Sequence, residues 1–285
     1  MKTLITGCSG YIGSYLKTTY YDNQTEYIGS DSKSFDYGNI DSIREFFKGK
    51  NIGRVIHLAG TVQNDDYVNL FKVNVYGIYN LLLVCSENKV SHFAFASSNN
   101  VYDNTQVMPL AETSLRMPDP QNRYGFSKYA GELIIQDMCS NLGIKYANIR
   151  IADVYGPGQK HGNLIKAIVN NVREGKPLCL YGKGLRTRDY TYVKDVANGL
   201  YFISSNELTG NINLGTSVGT SVRELLEIVK NICGGNIIIN QVAVDKEDTS
   251  SVVLNCNKLY NLGFRMKYSI IDGMTEILKG ENNEQ

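Results

Sequence analysis

The first thirteen residues constrain the fold of this chain more than any other stretch. Lys2-Thr3-Leu4-Ile5-Thr6 is a short apolar, β-branched run that reads as a buried strand. It passes directly into Gly7-Cys8-Ser9-Gly10-Tyr11-Ile12-Gly13 and then into a helical stretch, Ser14 to Tyr21. Strand, glycine turn and helix in that order give glycine spacing a physical meaning. The glycines let the backbone turn tightly and approach a pyrophosphate, whose charge the helix N-terminus favours. The spacing here is G-x-x-G-x-x-G. The next strand, Tyr27-Ile28-Gly29-Ser30, ends at Asp31, about 20 residues beyond the glycines, where a carboxylate accepts from adenosine ribose hydroxyls. A carboxylate there opposes a 2′-phosphate, so NAD is favoured over NADP, with Lys33 nearby pulling the other way.

Apolar strands and helical stretches alternate through the first half. Arg54 to Ala59 and His92 to Ala96 read as strands, the latter ending at Ser97-Ser98, and Lys145 to Arg150 as another. Phe71 to Glu87 reads as an amphipathic helix and Arg123 to Leu142 as a long one. Such alternation predicts an α/β fold, a doubly wound parallel sheet of Rossmann type, with ligands outside the carboxyl ends of its strands. The glycine loop, Asp31, Ala59-Gly60, Ser97-Ser98 and Ile151-Ala152-Asp153 all follow strand ends and should line one crevice. From about Asp153 the segments shorten, with helical patterns at Leu164–Glu174, Val193–Asn206, Val222–Ile232 and Ile270–Lys279. We expect a dinucleotide-binding domain over residues 1–152, with 189–213 returning to it, and a smaller mixed α/β substrate lobe over 153–285.

Tyr124 and Lys128 stand four apart, on one face of the long helix. A lysine ammonium beside a phenol is expected to lower its pKa. A phenol poised in this way serves as general base for a substrate hydroxyl and as general acid in reverse.

Net charge is +1, which gives no electrostatic footprint for nucleic acid or an anionic membrane. No apolar run is expected to reach transmembrane length. Met1-Lys2 leads straight into the first strand, so no signal peptide is expected. The six cysteines (8, 85, 139, 179, 233, 256) form no C-x-x-C and no Cys/His cluster. That argues against a metal site and suits a reducing cytoplasm. Cys8 reads as a small filler. His92 and His161 are isolated, and His57 reads as a satisfied core histidine.

With these elements in order, the chain resembles the extended short-chain dehydrogenase/reductase family of nucleotide-sugar epimerases and dehydratases, most strongly over residues 1–200. Thr6–Gly13 is close to the epimerase form of the glycine loop. His57-Leu58-Ala59-Gly60 resembles the family's H-L-A-A beside the cofactor. Asn74 matches its structural asparagine, and Arg188-Asp189-Tyr190-Thr191-Tyr192-Val193-Lys194-Asp195 matches R-D-F-x-x-V-x-D. The resemblance implies Ser98, Tyr124 and Lys128 as catalytic residues. It implies cofactor contacts from Gly7, Gly10, Tyr11, Ile12, Gly13, Asp31, Asn39, Ile40, Leu58, Ala59, Gly60, Asn74, Tyr124 and Lys128. It implies substrate contacts from Ser98, Asn99, Asp153 and Arg188, with Arg188 on a substrate diphosphate. A homodimer through the helices Phe71–Glu87 and Arg123–Leu142 is also implied.

Three departures shape the expectation. Dehydratases of the family resemble T/S-D-E-V-Y, whereas this chain reads Ser98-Asn99-Asn100-Val101-Tyr102, and amides do not titrate. The family's N-V-Y-G-P-G is Asp153-Val154-Tyr155-Gly156-Pro157-Gly158, and a carboxylate at that point repels a diphosphate unless it is protonated or paired. A second diphosphate arginine near residue 245 is missing from Asp245-Lys246-Glu247-Asp248, where Lys246 is the substitute on offer. The expected activity is nucleotide-sugar epimerisation, at C4 through a 4-keto intermediate, with Tyr124 as acid and base. An NAD(P)H-dependent reductase of a 4-keto-6-deoxy nucleotide sugar is the alternative, and a non-catalytic dinucleotide sensor a third reading.

Overall fold

The computed structural model describes residues 1–62, 66–102, 107–114, 122–160 and 164–280. Its first half runs β1 (Lys2–Thr6), α1 (Tyr11–Asp22), β2 (Tyr27–Ser30), α2 (Ile40–Phe47), β3 (Ile52–His57), α3 (Tyr67–Phe71), α4 (Gly77–Glu87), β4 (His92–Ser98), α5 (Arg123–Leu142) and β5 (Lys145–Ile151). There follow β6 (Asp153–Tyr155), α6 (Leu164–Arg173), β7 (Leu178–Tyr181), β8 (Thr187–Arg188), β9 (Tyr190–Tyr192), α7 (Val193–Ser205) and β10 (Gly210–Leu214). The chain closes with β11 (Thr220–Ser221), α8 (Val222–Ile232), β12 (Ile239–Val242), β13 (Ser251–Val252), α9 (Asn257–Asn261) and α10 (Ile270–Lys279).

Six parallel strands form the main sheet in the order β10-β5-β4-β3-β1-β2. Successive side chains of a strand point to opposite faces, and both faces here are covered, so the strands read as continuous apolar runs. Leu4, Val55, Phe93 and Phe95 pack with Ile43, Ile78, Leu81 and Ile135 on one side. Ile5, Ile56, Ala94 and Ile149 pack with Leu16, Val196, Leu200 and Ile203 on the other. The chain leaves β1 for β2 on one flank and returns to β3 on the other. This makes the β1/β3 boundary the topological switch point, where a crevice opens beyond the strand ends. β10 pairs with β5, so the stretch 210–214 is part of this sheet although it lies beyond the first lobe in sequence.

A second core, with Tyr155, Ile165, Ile168, Leu178, Leu225, Val229 and Met274, holds α6, α8 and α10 around short strands. β6 pairs with β9, and β8 with β11 and β13, so this lobe is built from small sheets over the crevice.

Two local features depart from the sequence reading. The helix expected from Phe71 begins at Tyr67 and passes through a π-helical turn at Lys72–Tyr76 before α4. The whole segment Tyr67–Glu87 is long and apolar enough, by length and composition, to cross a membrane, against the expectation from the sequence. Half of its apolar window is buried in this fold. His57 is fully buried with its Nδ1 2.8 Å from Thr6 Oγ1, and burial holds its pKa down at about 3. His161 lies outside the described residues.

Candidate active site

The glycine loop and the end of β3 are joined across the switch point. Leu58 N donates to Thr6 O at 3.3 Å, and Ala59 N to Thr6 Oγ1 at 3.2 Å. Gly7 has φ +68°, and a Cβ there would stand 2.8 Å from Ala59 N, so both its conformation and its closeness to β3 require glycine. Gly10 N returns to Gly7 O at 3.0 Å, and α1 starts at Tyr11 and Ile12 without a side-chain cap. Gly13, inside its first turn, is buried against Gly7 and Cys8. Unpaired N–H groups at the start of a helix suit an anion. Asp31 follows β2 on the same rim. Its Oδ1 accepts from Lys33 N at 2.9 Å and Ser34 Oγ at 3.1 Å, which holds the carboxyl below its usual range.

Asn39 and Ile40 have structural employment. The Asn39 side chain accepts from Asp41 N and Ser42 N as the N-cap of α2, and Ile40 packs against the first core. Asn74, set in the π-helical turn, is buried and satisfied by protein alone. It donates to Thr61 O at 2.9 Å and Ser127 Oγ at 3.0 Å, and accepts from Thr61 N at 2.9 Å. It clamps the chain after Gly60 to α5 between Tyr124 and Lys128. A π-turn inside a helix often marks such a site.

Ser98 ends β4 and caps a 3₁₀ turn, Asn99–Val101, by accepting from Asn100 N at 3.2 Å. α5 begins against that turn. A Cβ on Gly125 would meet Asn100 O at 2.5 Å, so glycine is needed for the helix to come this close. That approach brings Tyr124 to Ser98. Burial pushes the Tyr124 phenol up to about 12, and the Ser98 hydroxyl pulls the other way. Lys128 is 4% exposed and donates to Ala96 O at 2.9 Å, with Nζ 5.7 Å from the centre of the Tyr124 ring. Burial lowers its pKa to about 8. The expected lowering of the phenol pKa by Lys128 is therefore corrected: desolvation raises it, and the opposing influence is the Ser98 hydroxyl.

Beside Ser98 lies a cavity of about 230 Å³, lined by Ser98, Asn99, Asp153, Leu164, Arg186, Arg188 and Tyr190 among others, where a substrate could sit. Asp153 is paired twice, with Asn99 Nδ2 donating to Oδ1 at 3.1 Å and Arg188 Nε lying 3.7 Å from Oδ2. Burial raises its pKa, opposed by Asn99 and Arg188. Asp189, beside Arg188 in sequence, instead faces Thr216, Ser217 and Leu254, donors to its carboxylate. Lys246 stays exposed. The cavity's second arginine is Arg186, which the sequence reading did not select. Its signal was the spacing Arg186-Thr187-Arg188, which places both side chains on one side of an extended segment. A larger hollow of about 780 Å³, lined by Lys2, Tyr20 and Tyr27, lies at the opposite end of β1 from the glycine loop.

The model for the NAD dependent epimerase/dehydratase family matches residues 3–215. A putative UDP-glucose 4-epimerase of Methanocaldococcus jannaschii is 28% identical, over 98% of this chain and 98% of its own. The dTDP-D-glucose 4,6-dehydratase of Bos taurus is 25% identical, over 98% of this chain and 88% of its own. Among solved structures, Thermus thermophilus UDP-glucose 4-epimerase in complex with NAD superposes with a TM-score of 0.86 at 27% identity, each chain covered in full. A family match over most of the chain, on a fold whose switch-point crevice carries the glycine loop, Ser98, Tyr124 and Lys128, means that this protein belongs to the NAD-dependent epimerase/dehydratase family.

Proposed function

We propose that this enzyme is an NAD-dependent nucleotide-sugar epimerase acting at C4 of the sugar through a 4-keto intermediate. The observation that carries the reading is the meeting of Ser98 and Tyr124 at the mouth of the crevice, with Lys128 one helical turn below. The residues fit the cofactor. The glycine loop is a cradle that a Cβ would fill, the start of α1 is uncapped, and Asp31 stands at the end of β2 for a ribose. When bound, NAD supplies a hydride acceptor and donor. As a phenolate, Tyr124 would take the proton of the C4 hydroxyl and, as the phenol so formed, return it, while Ser98 holds the reacting oxygen. Lys128, released from Ala96 O, offers its ammonium to the nicotinamide ribose and to the developing phenolate.

Asn99 and Asn100 support epimerisation over dehydration. Both stand where loss of water needs a titrating pair, and Asn99 is already held between Ser98 and Asp153. The relatives named for UDP-glucose and dTDP-glucose support a nucleoside-diphosphate sugar as substrate. The 4-keto reductase reading differs by requiring exchangeable NADH. Incubation with UDP- and dTDP-sugars, with and without NADH, tests the choice.

A second copy of the chain covers the outer face of α3, α4 and α5 in this reading. Val68, Phe71, Val75, Tyr76, Tyr79 and Ile134, with Lys72 among them, line a mainly apolar hollow of about 630 Å³ there, with Phe126 and Leu133 also exposed. A run of exposed apolar side chains gathered around one hollow is a surface that association would cover. Sedimentation of the purified protein at twice the chain mass is the expected result.

A further inference from the structure

Arg188 is already engaged by the chain itself. Its Nε lies 3.7 Å from Asp153 Oδ2, one terminal nitrogen donates to Thr187 O at 2.9 Å and Ser250 O at 3.2 Å, and the other to Ser250 Oγ at 3.2 Å. The cavity's second arginine is held more loosely, with Arg186 Nε 4.0 Å from Asp248 Oδ2 and making no hydrogen bond. Among the described lining residues, both arginines thus stand near a carboxylate of the chain itself, Arg188 the more closely. Of those two carboxylates, Asp153 lines the cavity. Its side chain is 35% exposed, against 19% for Arg188, so the carboxylate is the more open member of the pair. Its other oxygen accepts from Asn99 Nδ2, and Asn99 Oδ1 accepts from Ser98 Oγ at 3.2 Å. An unbroken line of polar contacts therefore leads from Ser98 to Arg188, with a negative charge in its middle.

An ionised carboxylate accepts hydrogen bonds and donates none. A phosphate brought to Arg188 meets that charge at close range and low dielectric, where like charges cost most. A ligand that also presents a hydroxyl to Asp153 gives the carboxylate a donor and recovers part of the loss. A bare anion recovers nothing.

Building on the nucleotide-sugar reading, we propose that Asp153 is a specificity-determining residue. It is a built-in anion that competes with a ligand's phosphate for Arg188, and it tunes the cavity toward sugar diphosphates that bring a donor and against bare anions. Discrimination of this kind works by an unfavourable element as much as by a favourable one.

The test is calorimetric titration of the NAD-loaded protein with UDP and, separately, with inorganic pyrophosphate. Asp153→Asn keeps an acceptor for Asn99 and removes the charge. It should bind both probes about tenfold more tightly than the wild type, and Asp153→Ser should shift them in the same direction. In an Arg188→Ala background the same substitution should give no gain, because the contested cation is gone. Unchanged or weaker binding of both probes by Asp153→Asn overturns the proposal. UDP bound well and equally by wild type and variant leaves the nucleotide-sugar reading in place while sinking the role of Asp153. A gain for pyrophosphate, with UDP no better than pyrophosphate in either protein, upholds Asp153 and counts against the nucleotide. Equal NAD affinity in every variant reports that each is folded.

Discussion

Lys128 Nζ donates to the carbonyl of Ala96 at 2.9 Å, tying α5, the helix of Tyr124, to the last residues of β4. The ammonium lies over Phe95, 4.7 Å from its ring centre, in a site that strongly disfavours charge. Buried lysines with lowered pKa values cluster at functional sites, in keeping with the role proposed for Lys128.

Replacing this lysine should separate stability from activity. The folded pKa of about 8 lies below the ordinary lysine value of about 10.4, so the fold disfavours the ammonium. The penalty is fully present below pH 8, amounts to about 3 kcal/mol, and fades as pH rises from 8 toward 10.4. Lys128→Met should therefore melt higher than the wild type at pH 7 without cofactor, with turnover reduced at least a hundredfold. The stability gap should narrow above pH 8. A gap that is constant from pH 7 to 10 contradicts the assignment of the penalty to charge.

Tyr124→Phe removes the phenolic hydroxyl alone. Turnover should fall by about 10²–10⁴, the usual contribution of a positioned acid/base, while NAD affinity changes less than threefold. Steady-state rates and a fluorescence titration check the two halves. Turnover within threefold of wild type contradicts the role of Tyr124.

Asp31→Ala should weaken NAD more than NADP, because the carboxylate accepts from a ribose hydroxyl in one and opposes a phosphate in the other. Its Oδ1 is already held by Lys33 N and Ser34 Oγ, so the group is oriented before ligand arrives. Equal loss for both dinucleotides removes Asp31 from the ribose site.

Glu132 and Arg150 form a fully buried pair, Oε1 to Nε at 3.0 Å and Oε2 to Nη2 at 2.8 Å, with Ser97 and Tyr102 completing it. Breaking such a pair leaves an uncompensated buried charge and costs about 3–5 kcal/mol. Glu132→Gln should lower the denaturant midpoint accordingly. Replacing both residues with apolar side chains of similar volume should be far milder, and thermal denaturation of the single and double variants separates the cases.

The sheet and the helix carrying Tyr124 were legible because their signals are local. β-branched runs ended by glycine located β1 and β3, and Val222–Ile232 and Ile270–Lys279 were placed to the residue by their helical period. The substrate cavity was legible in part. Ser98 and Arg188 announced themselves by pattern, but the partner of Arg188 lies 35 residues earlier on β6, and no local signal joins them. Arg186 was passed over because it stands just before the motif that begins at Arg188. The Tyr124 pKa was misjudged because sequence spacing reports the neighbouring lysine but not the depth of burial. Asn39 and Ile40 also start α2, a role that their resemblance to cofactor contacts did not announce.

The most direct test of the central claim is the mass and deuterium content of the product formed from a UDP-sugar in D2O without added NADH. Oxidation and return of hydride at C4 predict a product separable from its substrate, of unchanged mass, with no deuterium bound to carbon. Loss of water, a gain of two hydrogens that requires NADH, or deuterium at carbon would contradict epimerisation through Tyr124 and a 4-keto sugar.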